Sequence, residues 1–424
     1  MKRSTRCINL EFLYGRLRPA RYGCAFRKGG KGCLGSSDGS SYICDSGSGD
    51  KKKERKTQPR YLRPALVRPI GGPAVTAWRQ LLACGTARDF IVALNFPREL
   101  LLEKVLPHFE RVRLRISYGS PYRKGPKGRG RGAQMRSIDL LGLALWYLKS
   151  RCTTYSLCPI FGLVPSSVYI WLDYALEVLW RVVRKRSRKE FEIRWPSFEE
   201  IKLSAALLER NRDYGTLLKG VFAIVDGGRM PTANYTNSNL QNAYFEGFTQ
   251  NEEVTNLFVF NFFGEIIHGA IKFPGSWHDN RLAAASGLYW PKLSDSHTPV
   301  GYAILGDSAF VTDVRCTNGK VLRGRKSNEK KGIPQSAVLA AVDILLQRAM
   351  PSERQSAEWG IRAIKGPFSR LKVPLPANSM KRLRLIQTCC HLYNFRVRFV
   401  GLNQIRSTYA DDNEETQPWL EYLE

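Results

Sequence analysis

The stretch Gly220-Val221-Phe222-Ala223-Ile224-Val225-Asp226-Gly227-Gly228 decides how this chain is read. Its apolar, β-branched run shows no polar alternation, the mark of a strand buried on both faces. It ends on a carboxylate followed by two glycines, which predicts that Asp226 sits at the strand's end. Downstream, residues 257–260 and 266–273 read as two further strands that turn near Gly264. The segment Gly275-Ser276-Trp277-His278-Asp279-Asn280-Arg281 follows, its Asp279 preceding a helix-like stretch over 282–285. Residues 302–305 make a fourth strand, which runs into Gly306-Asp307-Ser308. Three strands, a helix, and a strand returning beside the first would set Asp226 and Asp307 at neighbouring strand ends. The predicted class is α/β, a mixed sheet with flanking helices.

A third acid must then come from a helix laid on that sheet. Residues 351–371 predict one, with Arg354, Glu358, Ile361, Arg362 and Lys365 at helical spacing and Trp359, Ala363 and Phe368 between them. Phosphodiester cleavage explains why Asp226, Asp307 and Glu358 would be gathered: two divalent ions about 3.5 to 4 Å apart must be held by hard oxygen ligands. Such ligands suit two Mg²⁺ or Mn²⁺ ions, whereas five scattered histidines do not make a zinc site. Without metal, three acids so close raise one another's pKa. Each has a plainer reading: Asp226 in an Asp-Gly turn, Asp307 in a turn or cap, Glu358 in surface pairs with Arg354 or Arg362.

Outside this region the chain is strongly basic. Its 424 residues carry 66 Lys+Arg against 37 Asp+Glu, a net charge of +29, which calls for an acidic partner; nucleic acid is the first expectation. The 43% of hydrophobic residues excludes a wholly disordered chain. Neither a long apolar span nor a basic amphipathic membrane helix is evident, so no membrane role is expected. Ten cysteines without a Cys-x-x-Cys pair read as reduced thiols of an intracellular protein. Seven segments are expected: a basic low-complexity tail (1–65), a helical region (66–120), a basic Gly/Arg-rich linker (121–136), a helix-turn-helix-like domain (137–190), a helical connector (191–219), the α/β domain (220–405) and an acidic tail (406–424). The first tail is either solvated or a nuclear address or DNA arm. In 137–190, a turn at Gly162 and a helix opened by Pro165 make the helix-turn-helix reading natural, with a plain helical bundle as the alternative. The third helix offers Asp173 and Glu177 where a groove reader offers Arg, Asn or Gln, which favours phosphate contact over base reading. Arg323, Arg325, Lys326, Lys330 and Lys331 follow Asp307 and, with Arg354, Arg362 and Lys365, are candidate phosphate contacts.

Taken together, Asp226-Gly227, Gly275-Ser276-Trp277-His278-Asp279, Gly306-Asp307-Ser308-Ala309-Phe310, residues 354–362 (Arg-Gln-Ser-Ala-Glu-Trp-Gly-Ile-Arg) and His391-Leu392-Tyr393-Asn394 resemble the ordered motifs of Harbinger-type transposases and the nucleases derived from them. The likeness spans roughly residues 137–400, and order and spacing together carry it. It implies an RNase H-like fold and a DDE metal site with Asp226, Asp307 and Glu358 as the catalytic triad. His278 and Asp279 then become accessory, Asp279 as an extra acid, a substitute ligand, or merely a helix N-cap. The chain departs from the family pattern at Gly228, Asn280 and Tyr393, none of which removes a carboxylate. The resemblance further implies a nuclear, homo-oligomeric DNA endonuclease or transposase working beside a separate Myb-like DNA-binding protein. Two rivals stand: a domesticated or inactive copy that binds DNA without cutting it, and an RNA- or chromatin-binding protein that uses only its basic arms.

Overall fold

The computed structural model describes residues 76–117, 135–185, 187–211, 215–247, 249–324, 337–401 and 403–409. The two tails, nearly all of the basic linker, and Arg325, Lys326, Lys330 and Lys331 lie outside the described residues.

The N-terminal part is helical, as its periodicity predicts. It comprises α1 (Ala77–Cys84), α2 (Ala87–Leu94), α3 (Arg98–Leu100), which runs through a π-helical turn into α4 (Leu106–Ser117), then α5 (Ser137–Lys149), α6 (Thr154–Phe161) and α7 (Pro165–Val183). Thr86 and Asp89 form a capping box on α2, and Gly162 turns left-handed (φ 67°) between α6 and α7, which cross at 97°. Among the described residues no single helix is long and apolar enough to cross a membrane. A short connector leads to α8 (Phe198–Asn211).

The sheet follows: β1 (Val221–Pro231), α9 (Ser238–Tyr244), β2 (Phe245–Glu246), β3 (Asn251–Asn261), β4 (Ile266–Pro274), α10 (Asp279–Ala285), β5 (Ala303–Gly306), α11 (Val314–Thr317) and β6 (Val321–Arg323). β3 pairs antiparallel with β1, β4 and the short β2; β5 lies parallel to β1, and β6 parallel to β5. Residues 221–225 are buried without exception because the sheet is covered on both faces. Ile224, Phe258, Phe260 and Leu305 join one apolar cluster, and Phe222, Ala223, Val225, Leu257 and Ile304 join the other with Ile201 of α8 and Leu282 of α10.

One expectation is corrected: β1 does not end at Asp226. Gly227 to Pro231 continue the ladder opposite Leu257 to Glu253, because β3 is long enough to pair them. What ends near Asp226 is the parallel neighbour, since β5 stops at Gly306.

Three helices close the chain: α12 (Ala337–Lys365), α13 (Ser379–Val400) and α14 (Gln404–Tyr409). A helix opening at Pro351 is also corrected, for α12 starts at Ala337 and carries Pro351 inside it; Gly366-Pro367 stops it. α13 joins the helical part to the sheet. Toward α7, Lys381 pairs with Asp173 at 2.9 Å and Gln387 accepts from the Trp180 indole at 2.7 Å. Asp173 and Trp180 of α7 are therefore engaged with α13.

Toward the sheet, the buried Asn394 accepts from Ile266 N–H (2.8 Å) and donates to Ile266 C=O (2.8 Å) and Glu192 C=O (3.0 Å). Beside it Tyr393 donates to Gly264 C=O (2.7 Å), and Arg398 grips Glu265 through two bonds (2.8 and 3.1 Å). The Tyr393-Asn394 motif is a clamp on the β3–β4 hairpin. Asn394→Ala removes the side-chain partner of both backbone groups of the buried Ile266 and one of the two donors to Glu192 C=O, which keeps Arg398, and should cost roughly 2 kcal/mol in urea unfolding. An unchanged midpoint and slope would show that the clamp is dispensable.

Candidate active site

Asp226 and Asp307 stand abreast. The parallel register pairs Ile224 with Leu305, so two residues further each strand reaches its acid, and strands so paired lie about 4.8 Å apart. Both acids share parity with residues of the cluster covered by α12. Asp226 accepts from Gly227 N–H (2.9 Å), and Asp307 from Ala309 N–H (2.7 Å), where the chain leaves the sheet. Phe310 packs back against Gly306 and fixes that exit.

α12 crosses this face in register. Ile361 reaches toward Gly228 and Lys365 donates to the Arg229 carbonyl. One turn earlier α12 carries Glu358, and Arg354 on the same helix is the α12 group whose charge reaches Asp226. The Glu358 carboxylate is engaged by Arg354 (3.3 Å) and Arg362 (3.5 Å). Lys365 is half-buried and holds α12 to β1; Arg362 is exposed, and Arg323 donates to Gly324 C=O (3.2 Å).

Asp279 arrives from the other side. His278 takes the N-cap position of α10 and makes no capping bond with its side chain, so Asp279 is the first helical residue and not the cap. Its carboxylate lies under β1 where Gly227 has no side chain; a Cβ there would meet Asp279 Oδ1 at 2.3 Å. Arg281 stacks on Trp277 (3.8 Å), and Tyr289 donates to Asn280 (2.7 Å), bracing the start of α10. Arg229 pairs with Glu246 at 3.2 Å beside this group. Sequence reading overlooked Arg229, Glu246 and Tyr289, which come together only through the fold.

The acids act on one another. Burial pushes the Asp226 carboxyl up to about 7, Asp279 and Asp307 add to the rise, and the Gly227 N–H and Arg354 oppose it. Asp279 is also raised, first by burial and then by Asp307, with Arg229 opposing.

A buried carboxyl set in a field of other carboxylates has the donor chemistry a hard divalent cation satisfies. Asp226, Asp307 and Glu358 fit that role by type, the first two also by their neighbouring places on β1 and β5, with Asp279 adjoining. Among the described residues, no three His, Cys, Asp or Glu side chains are gathered closely enough to hold one ion as they stand.

Asp226 is raised above its unfolded pKa of 3.8, so the folded state keeps its proton between about pH 4 and 7 and stability is lost as pH rises through that window. In chelator, Asp226→Asn should therefore be more stable than the unmodified chain at pH 8, by roughly 2 kcal/mol after allowing for water access, with no advantage at pH 4. Thermal unfolding of both proteins across pH 4–8 tests this; a difference that does not grow with pH refutes the strained carboxyl.

No curated protein and no solved structure matches the chain. A family model described as DDE superfamily endonuclease matches residues 225–394, from the residue before Asp226 to the Asn394 clamp, so this part of the chain is similar to a transposase-like nuclease domain.

Proposed function

We propose that the protein is a metal-dependent DNA endonuclease or transposase of the Harbinger type, acting through Asp226, Asp307 and Glu358. The observation that carries this is the parallel register of β1 and β5, which sets Asp226 and Asp307 abreast beneath the helix bearing Glu358. The strand order β4-β3-β1-β5-β6, antiparallel and then parallel, is the arrangement an RNase H-like fold calls for.

Two Mg²⁺ or Mn²⁺ ions, once bound, would activate the attacking water or 3′ hydroxyl and stabilise the leaving oxygen. The chain's residues do the rest. Asp226, Asp307 and Glu358 would hold the ions: Asp226 would do so as the carboxylate, its proton passing to solvent, Asp307 is oriented by its bond from Ala309 N–H, and Glu358 would have to part from Arg354 and Arg362. Those two arginines would then be able to face the phosphodiester, Arg362 from solvent and Arg354 beside Asp226. Asp279 restrains Asp226 electrostatically from beneath Gly227. The α6–α7 pair contributes backbone contacts more than base reading, because Asp173 and Trp180 are spent on α13. A Myb-like partner then supplies sequence choice, with a homo-oligomer at work in the nucleus.

A second reading, a nuclear DNA binder that no longer cuts, draws on the two ion pairs that neutralise Glu358. Plasmid nicking with Mg²⁺ or Mn²⁺ separates them. Asp226→Ala, Asp307→Ala and Glu358→Ala should each lose about a hundredfold or more of the nicking rate while retaining salt-sensitive DNA binding. Equal nicking by all four proteins places the chemistry elsewhere; no metal-dependent nicking by any of them favours the second reading.

A further inference from the structure

Arg382, at the start of α13, is fully buried and has no acidic partner among the described residues. Its Nη1 donates to the carbonyls of Pro376 (3.0 Å) and Ala377 (3.2 Å), whereas Nε and Nη2 find no acceptor among the described residues. The guanidinium lies over the rings of Tyr235 (5.7 Å) and Tyr244 (5.0 Å), which stack on each other at 4.8 Å. The Tyr235 hydroxyl is likewise buried and makes no hydrogen bond of good geometry, with Arg382 and Tyr244 close enough to act on its ionisation. Glu252, the buried acid of this corner, uses Oε2 to accept from Tyr235 N–H (2.9 Å).

Burying a guanidinium without an anion is costly, and two aromatic faces offset only part of that cost. Further positive potential converges here. Lys272, in left-handed backbone (φ 70°), has its ammonium pKa depressed by burial and by the charge of Arg382. α13 presents its N-terminus with no acid in the first turn, Asn378 capping Met380 and Lys381 N–H. A planar fork, a phenol and a helix N-terminus suit a tetrahedral oxyanion.

The cover over this corner is thin. α9 buries none of its residues, and beyond it Gln250 is left-handed (φ 52°). The helix is tied at its end to the loop before Asp279, where Ser276 donates its N–H (3.3 Å) and hydroxyl (2.9 Å) to Ala243 C=O. Ser276 is three residues from Asp279, so this corner adjoins the candidate active site.

We propose that Arg382 and Tyr235 form a phosphate-binding site closed on one side by Tyr244 at the end of α9, entered by a phosphodiester of the nucleic-acid strand when α9 lifts and carries Tyr244 away. The choice of a nucleic acid as the source rests on the proposed function; the oxyanion site itself does not.

The full-length protein in chelator tests both. Inorganic phosphate, at constant ionic strength against chloride, should raise the melting temperature, and Arg382→Met should abolish the rise. Because that variant removes a buried side chain, Tyr235→Phe provides a milder second case: it should fold as the unmodified chain by circular dichroism and weaken phosphate binding roughly fivefold. Binding of a single-stranded oligonucleotide across a salt series should lose about one phosphate contact from its slope in both variants. A phosphate response without a change in slope supports the oxyanion site but assigns it to a free phosphate compound. No response to phosphate in the unmodified chain, together with identical oligonucleotide slopes, overturns the proposal and leaves Arg382 as a structural prop. No divalent metal is present, so loss of cleavage cannot imitate either result.

Discussion

The repulsion between carboxylates at the edge of the sheet is the constraint on which the rest of this structure turns. Asp226 and Asp307 are set abreast by backbone pairing that cannot relax without breaking the β1–β5 ladder. Asp279 is admitted from the opposite face only because residue 227 is glycine. Burial first, and these neighbouring carboxylates after it, give an acid whose proton is held to about pH 7, and folding has to supply the stability that this arrangement withdraws.

α13 and α12 contribute to that stability. α13 is an internal strut, satisfying β4 through Asn394, the hairpin turn through Tyr393, and α7 through Lys381 and Gln387. α12 is held to β1 by Lys365 and by the fit of Gly360 against Phe260, where a Cβ would come within 2.7 Å of the ring. One apolar cluster runs from Trp78 of α1 to Tyr409 of α14, so helices far apart in sequence support the sheet that carries the acids.

Much of this was legible in the sequence. The unbroken apolar run before Asp226 and the repeat of that pattern before Asp307 suffice to predict adjacent strands, because burial on both faces leaves a plain compositional mark. The extension of β1 through Gly227 and Gly228 was not legible: two glycines imitate a turn, and only the length of β3 decides otherwise. The true start of α12 was hidden by Pro351, which locally looks like a helix opening. The corner formed by Tyr235, Tyr244 and Arg382 was invisible, since a partner more than a hundred residues away leaves no periodic trace near either tyrosine.

The arginines around Glu358 connect the site's present arrangement to the chemistry proposed for it. Arg354 binds Glu358 and also lowers the pKa of Asp226, so one guanidinium moderates the charge of both acids. A cation bound by those acids would make that guanidinium redundant and repel it. On the proposed function, the same displacement would release Glu358 from its pairs on α12 and leave a positive group for the phosphodiester. On that proposal, exchanging one positive charge for another at Glu358 would act through α12, while the β1–β5 ladder that positions Asp226 and Asp307 stays as it is.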